Sequence, residues 1–104
     1  MSGIRVEGSR LTVTDNVTPE QVLPLRTRGE ELVAQVPSPV VIDLAGVTEP
    51  HTVVLSLALC WMRAAQAQGK TVEFVGAGRS LQALAALGGV TDLLPGFAGG
   101  HEQG

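Results

Sequence analysis

Cys60 is the chain's one cysteine, so no internal disulfide can staple the fold. Aromatics are equally scarce, three in 104 residues, so a chain that is 44% hydrophobic must build its core mainly of Leu, Val and Ala. Positive charge is in deficit: seven Lys and Arg stand against ten Asp and Glu, a net of −3. No basic stretch of the kind that neutralises phosphates is present, so nucleic acid is excluded as an expected partner. Long apolar runs are missing too. The longest near-apolar stretch, Val53–Met62, contains Ser56 and is about half of the ~20 residues a membrane span needs. Met1-Ser2-Gly3-Ile4-Arg5 lacks the apolar core of a signal segment. The expectation is a soluble, cytoplasmic domain in a reducing compartment. Two histidines and one cysteine, widely scattered, give no metal-ligand spacing, and no cofactor is expected.

What is there reads as one domain without repeat or linker: residues 1–95, followed by a mobile Gly-rich tail, residues 96–104. Ile4-Arg5-Val6-Glu7 and Leu11-Thr12-Val13 alternate apolar and polar around a Gly-containing turn, the pattern of a hairpin. Thr18-Pro19-Glu20-Gln21 opens a helix with a capping box and a proline in the first turn. Val22, Leu25, Leu32, Val33 and Val36 give that helix its apolar face; Gly29 weakens its middle by about 1 kcal/mol relative to Ala. Pro37-Ser38-Pro39 stops it. Val40–Leu44 is a continuous apolar run before Asp43 and predicts a central strand, either covered on both sides or paired on both edges. A polar loop follows, then a long helix from Thr52 to a glycine stop at Gly69. Thr71–Val75 predicts another strand, Gly76–Arg79 a turn, and Leu81–Leu87 a short helix capped by Ser80. Val90–Pro95 adds a last turn or an edge segment. Strands alternating with helices, after an initial hairpin, predict an α/β fold. Its sheet is mixed, with about four to five strands and helices mainly on one side.

Polar chemistry gathers at one helix start, Glu49-Pro50-His51-Thr52. At an N-cap the Thr52 hydroxyl accepts a backbone N–H. The same position suits a phosphate, because free amides and the helix dipole stabilise added negative charge there. Glu49 opposes a dianion. His51 beside Thr52 does not present the geometry of a base activating a nucleophile, and no third group orients it. His101 falls in the tail. No enzymatic activity is expected. Gly76-Ala77-Gly78 lacks the third glycine of a dinucleotide fingerprint, whose slot is Leu81, and reads as a strand-to-helix turn; Arg79 there is an exposed arginine or an anion holder. By helical spacing Thr52, Ser56, Leu59, Arg63, Gln66 and Lys70 fall along one side of the long helix, flanked by Leu55 and Met62. Val54, Leu57, Ala58, Trp61 and Ala65 point elsewhere, toward the sheet. This part-polar, part-apolar side is either a protein-docking face or one side of an unusually buried helix.

Several segments together resemble a STAS domain. They are Val41-Ile42-Asp43-Leu44, Gly46-Val47, Thr52-Val53-Val54-Leu55, Gln68-Gly69-Lys70, Val72-Glu73-Phe74-Val75-Gly76 and Leu84 to Gly88. The family's pattern has Asp-Ser/Thr-x-Gly at the long helix; here His51 replaces the Asp and Val54 the Gly, while Thr52 keeps the hydroxyl. The chain is most similar to the MlaB-like branch. The resemblance implies a non-enzymatic cytoplasmic subunit that binds the ATPase of a phospholipid-transport ABC transporter. Such a subunit sits at the inner face of the inner membrane through its partner and supports outer-membrane lipid asymmetry. It implies Thr52 as the contact or regulatory residue, with His51, Ser56 and Leu59 beside it. The alternative it implies is an anti-sigma factor antagonist, phosphorylated at Thr52 by an anti-sigma factor kinase.

Overall fold

A computed structural model describes residues 3–49 and 51–97. Pro50, His101 and the rest of residues 98–104 lie outside the described residues. Strands and helices alternate in the expected order. They are β1 (Ile4–Glu7), β2 (Arg10–Val13), α1 (Val22–Gln35), β3 (Val40–Asp43), α2 (Thr52–Ala67), β4 (Val72–Val75) and α3 (Arg79–Leu87). The sheet runs β1-β2-β3-β4. β1 and β2 are antiparallel, turned through Gly8 at φ +61°. β2–β3 and β3–β4 are parallel, each joined by a helical crossover. β3 is therefore paired on both edges, as its apolar run predicts.

One face of the sheet is the core face. Leu11 lies beside Ile42, and Ile42 beside Phe74. These three, with Val13, Val40 and Val72, are buried. The alternate positions make the second face: Arg10 and Glu73 are exposed, while Thr12, Val41, Asp43 and Val75 are half-buried. The helices thus cover one side of a sheet whose side chains alternate with period two.

Trp61 and Gly29 fix how α1 and α2 meet. A Cβ on Gly29 would lie 2.1 Å from Trp61 Nε1, so the indole fits only over a bare backbone. Trp61 Nε1 donates to the Arg26 carbonyl at 3.2 Å. Trp61, expected to point toward the sheet, instead seals the helix–helix contact. Lys70 corrects the helical-side assignment as well. It follows α2, and its Nζ reaches the C-terminal end of α1, donating to Val33 O and Ala34 O at 2.9 Å and to Val36 O at 2.7 Å. A cation there satisfies carbonyls that have no partner within the helix and meets the negative end of its dipole.

Two helix starts differ from expectation. The expected Thr18–Gln21 capping box forms, with Gln21 Oε1 accepting the Thr18 N–H at 3.2 Å, but it opens a 3-10 turn, Pro19–Gln21, and α1 itself begins at Val22. α3 begins at Arg79 with Gly78 as its N-cap, so Ser80 lies inside the first turn and caps nothing. At the far end, a 3-10 turn, Thr91–Leu93, leads to a segment that runs along β4: the Phe74 N–H donates to Pro95 O at 2.8 Å. Gly96 passes so close that a Cβ would sit 2.0 Å from Phe74 O, and its φ is +99°. Phe97 is 1% exposed, its ring edge-on to Phe74 at 5.4 Å. Gly96 and Phe97, which the sequence places in the tail, therefore pack as part of the domain. The physical reason is the pairing of two of the chain's few aromatic rings.

Candidate functional site

The site is built where β3 and β4 end and α2 begins. Val75 O accepts the Leu44 N–H at 2.8 Å, and Leu44 O then accepts the Val47 N–H at 2.9 Å, turning the chain away from the sheet. Asp43 braces this end. Its Oδ1 accepts the Ala45 N–H at 2.8 Å, and its Oδ2 pairs with Arg10 Nη2 of β2. Burial pushes the Asp43 carboxyl up, but the Ala45 amide and the Arg10 guanidinium outweigh it and hold the carboxyl below its ordinary value. Gly76 lies against the same carboxylate: at φ +76°, a Cβ would be 2.7 Å from Asp43 Oδ1 and 2.8 Å from Ala45 N. The glycine in that strand-to-helix turn answers to close backbone approach.

The loop then runs to α2 under a clamp that the sequence does not advertise. Asn16, in the loop after β2, accepts the Thr48 N–H at 2.7 Å and the Glu49 N–H at 2.8 Å through Oδ1. Its Nδ2 donates to Thr48 Oγ1 at 3.0 Å. Asn favours loop positions where its amide can bond backbone. Its partners lie more than thirty residues on, so no local pattern points to them.

His51 is the N-cap of α2, in an extended conformation and without a side-chain cap bond; Thr52 is the first helical residue. This corrects Thr52 as the cap. Thr52 is exposed in the first turn, and its hydroxyl makes no hydrogen bond among the described residues. Val54 N–H closes the first turn on His51 O at 3.0 Å. His51 Nε2 is 3.7 Å from Glu49 Oε1, an ion pair only when the imidazole is protonated. No acidic residue occupies the first turn of α2, so the positive end of the helix is not neutralised from within it.

Along α2, His51, Thr52, Ser56, Arg63 and Gln66 are exposed, and Leu59 is half-buried against the core. Thr52, Ser56 and Leu59 stand one turn apart on one side, by i, i+4 and i+7 spacing. Leu55 and Met62, read as flanking that side, are buried at 7% exposure each. The apolar element of the outward face thus shrinks to Leu59.

An open cleft of about 280 Å³ adjoins the helix start, with Val47, Thr48 and Glu49 on one wall and Gly76, Gly78, Arg79 and Ser80 on the other. Among the described residues, no group of three His, Cys, Asp or Glu could hold a metal ion. Nor is any helix there long and apolar enough to cross a membrane.

Comparison with known proteins places this architecture. A search of curated proteins finds no match. The model of the family described as "Mlab, STAS domain" matches residues 2–95, nearly the whole chain, including all four strands, the three helices and the start of α2. On that match the chain belongs to the STAS domain family, a non-enzymatic family of regulatory, partner-binding domains.

Proposed function

We propose that this chain is a non-catalytic accessory subunit that docks by the start of α2 on the ATPase subunit of an ABC transporter of the phospholipid-transporting, Mla type. There it stabilises or regulates the ATPase, at the inner face of the inner membrane, in support of outer-membrane lipid asymmetry. The observation that carries this reading is the outward face formed by His51, Thr52 and Ser56. Its hydroxyls have no partner within the described residues, and Leu59 supplies apolar surface beside them. Polar groups free of intramolecular bonds around an apolar side chain are the composition of an interface rim beside its core. The description of the matching family supports the choice of branch. Regulation follows if the domain contacts one ATPase conformation better than another.

The test is a pull-down from the native cell with partners identified by mass spectrometry, wild type beside Thr52→Glu. Thr52→Glu suits the test because an acid at the first position of a helix meets its positive end favourably, so the fold should hold. Recovery of an ABC ATPase with wild type, and at least about tenfold less with Thr52→Glu, is the expected result. Equal recovery with both would remove the α2 start from the interface.

A second reading has one observation in its favour. The exposed Thr52 hydroxyl stands at a helix start with no acidic residue in its first turn, a favourable place for a phosphate. In that reading the chain is an anti-sigma factor antagonist. Recovery of a small kinase, with phosphate mapped to Thr52, would move the assignment there.

A further inference from the structure

Asn16 lies half-buried beside the Thr48–Glu49 loop and does not line the cleft. One carboxamide oxygen accepts two consecutive backbone amides of that loop, and its nitrogen reaches the Thr48 hydroxyl. Among the described residues these are the hydrogen bonds that tie Thr48 and Glu49 to another part of the chain. The flanking bonds, Val47 N–H to Leu44 O and His51 N–H to Glu49 O, stay within the loop. Glu49 is two residues from the N-cap of α2. Asn16 thus holds the described loop up to two residues before that N-cap.

We infer that Asn16 is the positioning residue of the partner face, holding the entry to α2, and with it His51 and Thr52, in its docking conformation before a partner arrives. The inference rests on the reading of that helix start as the docking face. Ordering a loop on association weakens binding; a loop already held avoids that loss. The chemistry is specific to the residue. An alanine at 16 removes all three bonds and returns two amides to water. An aspartate keeps both acceptor contacts, and the Thr48 hydroxyl can rotate to donate to it.

Amide hydrogen exchange on the free full-length chain, followed by NMR, tests this without any partner. The variants are Asn16→Ala, Asn16→Asp and, as a milder truncation should alanine fail to fold, Asn16→Ser. In Asn16→Ala or Asn16→Ser, the Thr48, Glu49 and Val54 amides should exchange about tenfold faster, with Ile42 and Phe74 unchanged. Asn16→Asp should restore wild-type rates. Unchanged exchange at Thr48 and Glu49 would overturn the inference. So would acceleration spread equally to β3 and β4, or a failure of aspartate to rescue, since each marks Asn16 as a general stabiliser. Loss or persistence of the ATPase in the Thr52→Glu pull-down bears on the docking reading alone, so the two can fail separately.

Discussion

At the end of β3, the Asp43 carboxylate answers to three neighbours at once: the Ala45 amide, the Arg10 guanidinium, and Gly76 pressed against it. The chemistry has a pH signature. Burial raises the carboxyl, the amide and guanidinium lower it further, and the folded value ends below the ordinary one of about 3.9. A group depressed in the folded state stabilises the fold above its unfolded value, and that contribution is lost as pH falls through the folded value. Asp43→Asn should therefore be less stable than wild type at pH 7, by about 1 kcal/mol, the net worth of one ordinary hydrogen bond. The gap should hold down to about pH 4 and close as the solution becomes more acidic. Urea midpoints taken across that range check it, and a gap indifferent to pH would count against the assignment. Asp43 was legible as a strand-end residue from Val41-Ile42-Asp43-Leu44. Its partners were not, because Arg10 and Gly76 reach it only after two crossovers are folded.

Elements meet through a glycine here, and sequence reasoning takes the wrong sign at that position. In isolation, Gly29→Ala should strengthen α1 by about 1 kcal/mol. In the folded chain, the added Cβ would be 2.1 Å from an indole nitrogen held by the Arg26 carbonyl. The ring is rigid and buried at 2% exposure, so it cannot swing aside as a flexible side chain would. Overpacking of this kind costs about 1–3 kcal/mol and outweighs the propensity gain. Gly29→Ala should thus lower stability, read as a fall in urea midpoint together with altered emission from the chain's one tryptophan. A raised midpoint would show that the two helices slide apart cheaply. The same gap between local and tertiary information accounts for the other corrections. Apolar patterning locates β3, α2 and β4 to within about a residue and α1 to within about three, because each is an apolar run or face bounded by Pro, Gly or polar residues. It cannot say that Trp61 turns to α1, that Lys70 caps α1 from beyond α2, or that Asn16 clamps a loop across the fold. Those contacts join segments thirty or more residues apart. The helix start at residues 51–52 was visible as the one polar junction in the chain. Which residue of the pair caps it was not visible, because the hydroxyl favours Thr52 at a cap and only the backbone assigns His51.

The three aromatics divide the labour of closing the molecule. Trp61 seals α1 against α2, while Phe74 and Phe97 seal the outer margin of β4. β4 would otherwise be an edge strand with a free row of backbone groups, and the segment around Pro95–Phe97 covers part of that edge. Gly96 and Phe97 therefore contribute to stability even though they follow the last helix. Phe97→Ala removes a ring at 1% exposure and should cost about 3–5 kcal/mol. A domain of this size has only about 5–15 kcal/mol in all. The melting temperature should fall by roughly 15 °C or more. Calorimetry on the full-length variant checks the magnitude, and a melting temperature within a few degrees of wild type would mean that the ring is dispensable. The proposed docking face lies at the end of β3, the Asn16 clamp and the start of α2, whereas Phe97 packs its ring against Phe74 of β4. Below the melting transition, Phe97→Ala should bind the ATPase with wild-type affinity, whereas Thr52→Glu should lose binding while melting like wild type. That crossed pattern separates the residues that hold the molecule closed from those that present its surface. It fails if stability and binding fall together in both variants.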